Sequence, residues 1–156
     1  MTVLSSTSMK EGRIDNLKTA MKFLIRKLSY IDRLSIVTFS RVASRPRPLL
    51  LMTKEAQDLI DEDVDSLKAH GCTNMALGLT MALQVLNDRN HKNGRFPAIM
   101  FMSDGDPTDK NRAAEVPLGD LAVHTFAVGS DFESNVCFSL TVFSLKKYSV
   151  NANLES

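Results

Sequence analysis

The hydrophobic positions of the chain follow a helical period in three segments. Apolar residues recur at spacings of three and four over residues 14–28, 54–67 and 75–86, with charged side chains mainly between them. Thr53 immediately precedes the second segment and is a residue type that commonly caps a helix N-terminus. The pattern therefore predicts three amphipathic helices.

Other segments combine apolar with β-branched or aromatic residues and end at turn-forming residues. Such runs predict strands at residues 33–40, 97–102 and 121–128, and the two later runs lack alternation, as is typical of strands buried on both faces. Residues 2–4 form a shorter β-prone start. The apolar run 49–52 follows two prolines and is therefore predicted to be an edge strand.

Strands that alternate with helices predict a Rossmann-like, doubly wound α/β fold with a mostly parallel sheet. The short connection between residues 33–40 and 49–52 predicts one antiparallel edge strand. Residues 134–145 are apolar again, but no crossover helix precedes them. We therefore expect one domain over residues 1–133, and residues 134–156 to form an added antiparallel strand or a poorly anchored tail.

Composition excludes several classes of function. The 156 residues carry a formal net charge of +1, which gives no electrostatic case for nucleic acid or an acidic membrane surface. No apolar run reaches the length of a membrane span, and we find no signal peptide. The two cysteines, Cys72 and Cys137, form no CxxC pair. These features favour a soluble cytoplasmic domain that binds neither nucleic acid nor membrane.

Hydroxyl and carboxylate side chains gather where the predicted strands end. Residues 5–8 read Ser-Ser-Thr-Ser after the first strand, Thr73 precedes a helix, and Asp104 follows the strand at 97–102. The carboxyl ends of parallel strands form the ligand-binding edge of an open α/β sheet, and hard oxygen ligands suit Mg²⁺. Alternatively, Thr73 caps a helix, Asp104 caps a turn and the serines form a loop.

Four segments resemble a known family. Residues 14–23, 32–40, 71–79 and 99–105 resemble the von Willebrand factor A domain, and the likeness extends from Val3 to Asp131. The amino-acid sequences of these segments are most similar to those of the A domains of plant RING-type ubiquitin-ligase proteins. The resemblance implies a protein-interaction module.

The family's metal-ion-dependent adhesion site combines Asp-x-Ser-x-Ser with a Thr and an Asp. By resemblance, Ser6 and Ser8 take the serine places, Thr73 the Thr place and Asp104 the last Asp place. The first Asp is missing, because its place falls on Leu4 or on Ser5, depending on the alignment. Since Mg²⁺ dehydrates reluctantly and depends on carboxylate charge, we expect weak or absent Mg²⁺ binding.

The resemblance therefore implies a non-enzymatic module that contacts a protein partner through the loops at the carboxyl ends of the strands. A working Mg²⁺-dependent adhesion site is one alternative. A second is a fragment of a ubiquitin ligase whose RING lies elsewhere, since two cysteines cannot form a RING zinc site. The first strand and the last family elements look incomplete, which predicts a piece of a larger plant RING protein.

One alternative is enzymatic. Asp104 and Asp106 fit the Asp-x-Asp-x-Thr loop of haloacid-dehalogenase-type phosphatases, where the first Asp is the nucleophile and the second the general acid/base. That fold also needs a downstream Lys and further acidic residues on later strands. Only one well-formed strand is predicted after this loop, so the sequence lacks the later strands that the phosphatase hypothesis requires.

Two charged stretches resemble binding sites less closely. Asp61, Asp63 and Asp65 have the starting spacing of a calcium-binding loop but lack its glycine and closing glutamate, so a solvated helix face is expected. Arg41, Arg45 and Arg47 belong to a basic, proline-containing stretch, for which contact with an acidic partner is one alternative. We expect that stretch to be a solvated hairpin that protects an edge strand.

Overall fold

The computed structural model describes residues 1–6, 13–68, 74–90, 96–103, 113 and 115–127. Within these residues the chain forms six strands and three helices. In chain order they are β1 (Thr2–Ser6), α1 (Arg13–Lys27), β2 (Arg33–Phe39), β3 (Ala43–Ser44), β4 (Leu50–Leu51), α2 (Lys54–Asp65), α3 (Met75–Asn87), β5 (Ala98–Ser103) and β6 (Ala122–Ala127).

The strands form one mostly parallel sheet in the order β3-β2-β1-β5-β6, with β4 also paired to β2. β1 lies at the centre and is parallel to both β2 and β5, and β6 is parallel to β5. Two helices cover one face and the third covers the other, because the connections between parallel strands cross the faces of the sheet. The predicted Rossmann-like fold is confirmed.

The antiparallel edge strand is divided into two pieces, which the sequence pattern did not predict. β3 pairs with the end of β2 and β4 with its beginning, so residues 35–37 of β2 lie opposite residues 45–49. Pro46 and Pro48 fall in that interval and cannot donate to a ladder. The buried Ser35 hydroxyl instead donates to the Arg47 carbonyl oxygen at 2.9 Å. The prolines thus divide the edge strand, and a side chain supplies a connecting bond.

The core has two layers that share the sheet. On one face, α1 and α2 bury Met21, Ile25 and Ile60 against β1 and β2. On the other, α3 packs on β1 and β2 and buries its apolar side chains beside Phe39 and Phe101, whose ring centroids are 5.3 Å apart. Alternate residues of β2 and β5 point into each layer, so both strands are buried on two faces.

β6 is buried on one face only, although its sequence predicts a strand buried on both. Val123 is 4% exposed in the layer beneath α3, whereas Phe126 is 45% exposed and His124 is exposed as well. Within the described residues, α1 and α2 cover β1 and β2 on that second face and do not extend over β6. An apolar run therefore did not distinguish a central strand from one at the end of the described sheet.

Ion pairs occupy the acidic stretch of α2, which is not the freely solvated face that was expected. Asp65 pairs with Lys22 at 2.7 Å, and the Asp61 carboxylate lies 3.3 Å from Arg26 of the neighbouring helix. The Asp61 side chain is only 18% exposed. A calcium-binding loop is excluded here because these carboxylates lie on a helix and face cations.

Among the described residues, no helix is long and apolar enough to cross a membrane.

Candidate functional site

Three strands of the sheet end at one edge, which we call the carboxyl rim. β1 ends at Ser6, β2 at Phe39 and β5 at Ser103, and the parallel register pairs Ser6 with Phe39 and Ser5 with Met102. Because β1 lies between the other two strands, the three chain segments leave the sheet side by side. This is the edge at which open α/β sheets bind ligands.

The head of α3 is fixed to the same rim. The Asn74 backbone N–H donates to the Ser40 carbonyl oxygen at 2.9 Å, immediately after β2 ends. The Asn74 side chain is the N-cap and accepts from the Leu77 N–H at 3.0 Å. One residue therefore satisfies a donor of the first helical turn and joins that turn to the sheet.

The alternative in which Thr73 caps the helix is wrong, because Asn74 takes the cap position. Thr73 itself lies outside the described residues, as do Ser8 and Asp104. Ser6 is described as the last residue of β1, without its side chain. The four predicted metal ligands therefore stay a prediction.

The described neighbours of those ligands nevertheless come together. Ser6 is itself a predicted ligand, whereas Asn74 and Ser103 stand next to the predicted ligand positions in sequence, and all three lie at ends of elements that meet at the carboxyl rim. Asp104 and Asp106 of the phosphatase alternative also lie outside the described residues. Within the described part of the chain, no group of three or more His, Cys, Asp or Glu side chains could hold a metal ion.

The two positions at which the sequence alignments predict the family's first Asp both lie within β1. Leu4 pairs with Val37 and Phe101, and Ser5 pairs with Thr38 and Met102. Neither residue carries a carboxylate. Whichever alignment is taken, the central strand contributes no negative charge to the rim from this position.

The basic hairpin beside the rim was expected to be simply solvated. Two of its arginines instead form ion pairs with acidic residues. The Arg47 guanidinium donates to both carboxylate oxygens of Asp63, at 2.6 and 3.2 Å. These hydrogen bonds raise the pKa of Arg47 above its ordinary value. Arg45 lies 3.6 Å from Asp88 at the end of α3. The two arginines connect the edge hairpin to α2 and to α3.

Sequence reasoning did not single out two exposed apolar residues on the segments that meet at the rim. Val42, in the turn after β2, is 69% exposed, and Leu77, in the first turn of α3, is 43% exposed. The Ser40–Asn74 hydrogen bond joins their segments, and the Ser40 N–H donates to the Val42 carbonyl oxygen at 2.9 Å. We call these two residues the rim patch. Leu77 lies midway between Met75 and Leu79, which share the predicted apolar side of the helix, so the helical spacing places Leu77 off that side.

Comparison with known proteins agrees with this architecture. A family model for the von Willebrand factor type A domain matches residues 3–106. E3 ubiquitin-protein ligase WAVH1 of Arabidopsis thaliana is 28% identical over 126 residues, covering 73% of this chain and 18% of that protein. Probable E3 ubiquitin-protein ligase WAVH2, from the same plant, is 35% identical over 99 residues, covering 60% of this chain and 14% of that protein.

A solved structure shows the same fold. The manganese-loaded TRAP protein of Plasmodium vivax superposes with a TM-score of 0.76 at 21% identity, covering 97% of this chain and 64% of that chain. The chain spans less than a fifth of the length of the two plant relatives. With the family model matching most of the residues that form the sheet and all three helices, the chain belongs to the von Willebrand factor type A domain family.

Proposed function

We propose that the chain is a protein-interaction module with a degenerate metal site, and that it contacts its partner directly through the carboxyl rim. The observation that carries the proposal is the composition of β1. This central strand ends at the rim between β2 and β5, yet its last three residues are Leu4, Ser5 and Ser6. The strand brings no carboxylate to the position where the family motif has its first Asp.

The charge at the rim decides the metal's role. Mg²⁺ in proteins is usually held by one or two carboxylates together with waters, and its dehydration is costly. Asp104 is the remaining carboxylate of the motif, and Ser6, Ser8 and Thr73 offer neutral hydroxyls. Without the first Asp, the site has half of the motif's negative charge, which supports weak or absent Mg²⁺ binding.

Direct contact is supported by the rim patch. Val42 and Leu77 are exposed aliphatic side chains on two segments that a backbone hydrogen bond joins. A partner that covers them removes apolar surface from water, which stabilises a complex without a bridging metal. The module's activity is then binding and not catalysis.

The relationship to ubiquitin ligases concerns the longer relatives. WAVH1 and WAVH2 are named as ligases, and this chain corresponds to a minor part of their length. A RING zinc site needs a Cys/His pattern that two cysteines cannot supply. We therefore propose that the segment has a recognition role, and that ubiquitin transfer in such proteins belongs to other segments.

Titration calorimetry tests the metal part of the proposal. The full chain is titrated with Mg²⁺ and separately with Mn²⁺, and the expected result is no saturable binding below millimolar concentration. The Ser5→Asp variant supplies a carboxylate at one of the two aligned places and should gain affinity. Tight, stoichiometric binding by the unchanged chain would overturn the degenerate site and favour a working adhesion site.

A capture experiment tests the binding surface. The immobilised chain is presented to Arabidopsis extract with and without a chelator, and captured proteins are identified by mass spectrometry. Val42→Asp and Leu77→Asp should abolish a set of captured proteins that survives the chelator. Leu59→Asp is the matched control, because Leu59 on α2 is exposed to a similar degree, 40%. Equal loss in the Leu59 variant, or loss on chelation, contradicts direct rim binding.

A further inference from the structure

Two serines in the chain follow an arginine by three residues. Ser29 follows Arg26, and Ser44 follows Arg41. Protein kinases that prefer basic substrates select their acceptor serine by charged contacts with nearby arginines, since charge patterns set kinase specificity. The sequence alone gives both serines the same spacing, so the structure must distinguish them.

The structure disfavours Ser29. Its hydroxyl and its backbone N–H both donate to the same Asp32 carboxylate oxygen, each at 2.8 Å. A phosphate at this hydroxyl would replace a hydrogen bond with repulsion between two anions. Ser29 is therefore a poor acceptor despite its arginine.

Ser44 has the opposite surroundings. It is exposed and lies in β3, a two-residue edge strand whose partner is the end of β2. Its carbonyl accepts from the Thr38 hydroxyl at 3.5 Å, while within the described residues its own hydroxyl makes no hydrogen bond. Arg41 and Arg45 are exposed on either side of it in the chain. A short edge strand separates from its sheet at low cost, which lets a kinase bind the segment in extended form.

We propose that Ser44 is a phosphorylation site for a basophilic protein kinase and that its modification regulates the rim patch. The γ-phosphoryl group of ATP passes to the Ser44 hydroxyl oxygen, the bond from that phosphorus to the β-phosphate oxygen breaks, and ADP leaves. The hydroxyl proton passes to the catalytic carboxylate of the kinase. The ATP is supplied as its Mg²⁺ complex, which the kinase requires, and no other co-reactant takes part.

The phosphate would change the charge next to the rim patch. It carries close to two negative charges at neutral pH and pairs strongly with arginine. Arg45 is the arginine that can pair with the phosphate, because its contact with Asp88 is long, at 3.6 Å. The Arg45 side chain is 33% exposed and the Asp88 side chain is 68% exposed. Arg47 is already held by both oxygens of Asp63. Val42 is two residues from Ser44, so the new anion hinders burial of the patch by an apolar partner.

The modification is tested independently of any partner. The full chain is incubated with ATP and the catalytic subunit of cyclic-AMP-dependent protein kinase, and phosphate is located by peptide mass spectrometry. We expect one phosphate on Ser44, its loss in Ser44→Ala, its retention in Ser44→Thr and Ser29→Ala, and an initial rate about tenfold lower in Arg41→Ala. Phosphate on Ser29, or undiminished labelling of Ser44→Ala, would overturn the assignment.

The regulatory part rests on the proposed function and has its own measurement. Captured partners are compared between the unmodified and the phosphorylated chain, with phosphorylated Ser44→Thr as a second modified form. Loss of the Val42-dependent proteins on phosphorylation is the expected result, and unchanged capture contradicts regulation. If no protein depends on Val42, the rim-binding proposal fails, while the labelling result still decides whether Ser44 is the acceptor.

Discussion

The two faces of the sheet are held in different ways. On the face covered by α1 and α2, apolar packing is accompanied by close ion pairs between Lys22 and Asp65 and between Arg47 and Asp63. On the α3 face the packing is apolar, and the ion pair found there among the described residues is the long, exposed contact of Arg45 with Asp88. The N-terminal end of α3 lies at the carboxyl rim, and α3 is thus the helix whose attachment to the sheet depends most on core packing.

Because of this difference, we expect core substitutions on the two faces to affect binding at the carboxyl rim to different degrees. A change in the α3 core alters the position of Asn74 and Leu77 at the rim, because both lie in or next to the first turn of that helix. We expect a change of equal energetic cost beneath α2 to leave the head of α3 in place, because α2 packs in the other layer. The following variants test that distinction, from the largest expected effect to the smallest.

Truncation of a core leucine under α3 should have the largest effect. Leu79 is fully buried, so Leu79→Ala removes buried methyl groups, leaves a cavity and should lower the free energy of unfolding by about 2–5 kcal/mol. Binding of proteins to the rim patch should weaken as well. Urea denaturation and the capture experiment measure the two effects.

Ile60→Ala is the matched variant on the other face, because Ile60 of α2 is 1% exposed. It should lose a similar free energy of unfolding and keep rim binding under conditions in which the variant is still folded. Equal loss of rim binding in both variants would contradict the comparison between the faces.

The two helix caps give a smaller and better matched pair. Asn74→Ala removes the side-chain oxygen that accepts from the Leu77 N–H, and Thr53→Ala removes the hydroxyl oxygen that accepts from the Ala56 N–H at 3.3 Å. Each should cost about 1 kcal/mol of stability. Only the Asn74 change should reduce capture by the rim patch, and Asn74→Asp, which can still cap, should restore it.

The coupling free energies of the ion pairs on the two faces should respond differently to salt concentration. A double-mutant cycle on Arg47 and Asp63 should give a favourable coupling free energy that declines between low and high ionic strength, since partly exposed pairs are screened. The same cycle on Arg45 and Asp88 should give a coupling close to zero at every salt concentration. Thermal unfolding of the single and double variants provides both values.

The smallest effect is a pH dependence at the start of α2. Hydrogen bonds to its own backbone and to Thr53 lower the pKa of Glu55 below its ordinary value of 4.5. Because the folded-state pKa is the lower one, the ionised carboxylate stabilises the fold above the ordinary value. That contribution is lost as the pH falls through the folded-state pKa. Glu55→Gln should flatten this part of the acid unfolding curve, and an unchanged curve would contradict the assignment.

Most elements of the fold were predictable from periodicity. The helices at residues 14–28, 54–67 and 75–86 correspond to α1, α2 and α3, and Thr53 caps α2 as expected. The unpredicted details depend on neighbours distant in the chain. Leu59 shares the helical apolar pattern but is 40% exposed, and β6 has the composition of a central strand but one exposed face.

The candidate site was only partly predictable. The sequence placed hydroxyls and Asp104 after strand ends, and the topology brings the described neighbours of those positions to one rim. The alternative that placed the N-cap at Thr73 was one residue too early, because Thr73 and Asn74 are both good capping residues and only the backbone decides between them. The exposure of Leu77 agrees with its place off the predicted apolar side of the helix, whereas the exposure of Val42 had no counterpart in the sequence pattern.

The sequence by itself determined the alternation of strands and helices and the family motifs, while the missing first Asp stays a prediction from the alignment. Those features depend only on residue types and on short spacings along the chain. Only the tertiary structure decided that β1 is central, that Asp63 and Arg47 pair across sixteen positions, and that Ser44 and Ser29 differ. The first two depend on segments far apart in the chain that approach one another only when the sheet and its two covering layers have formed, and the third depends on local backbone geometry that residue type does not reveal.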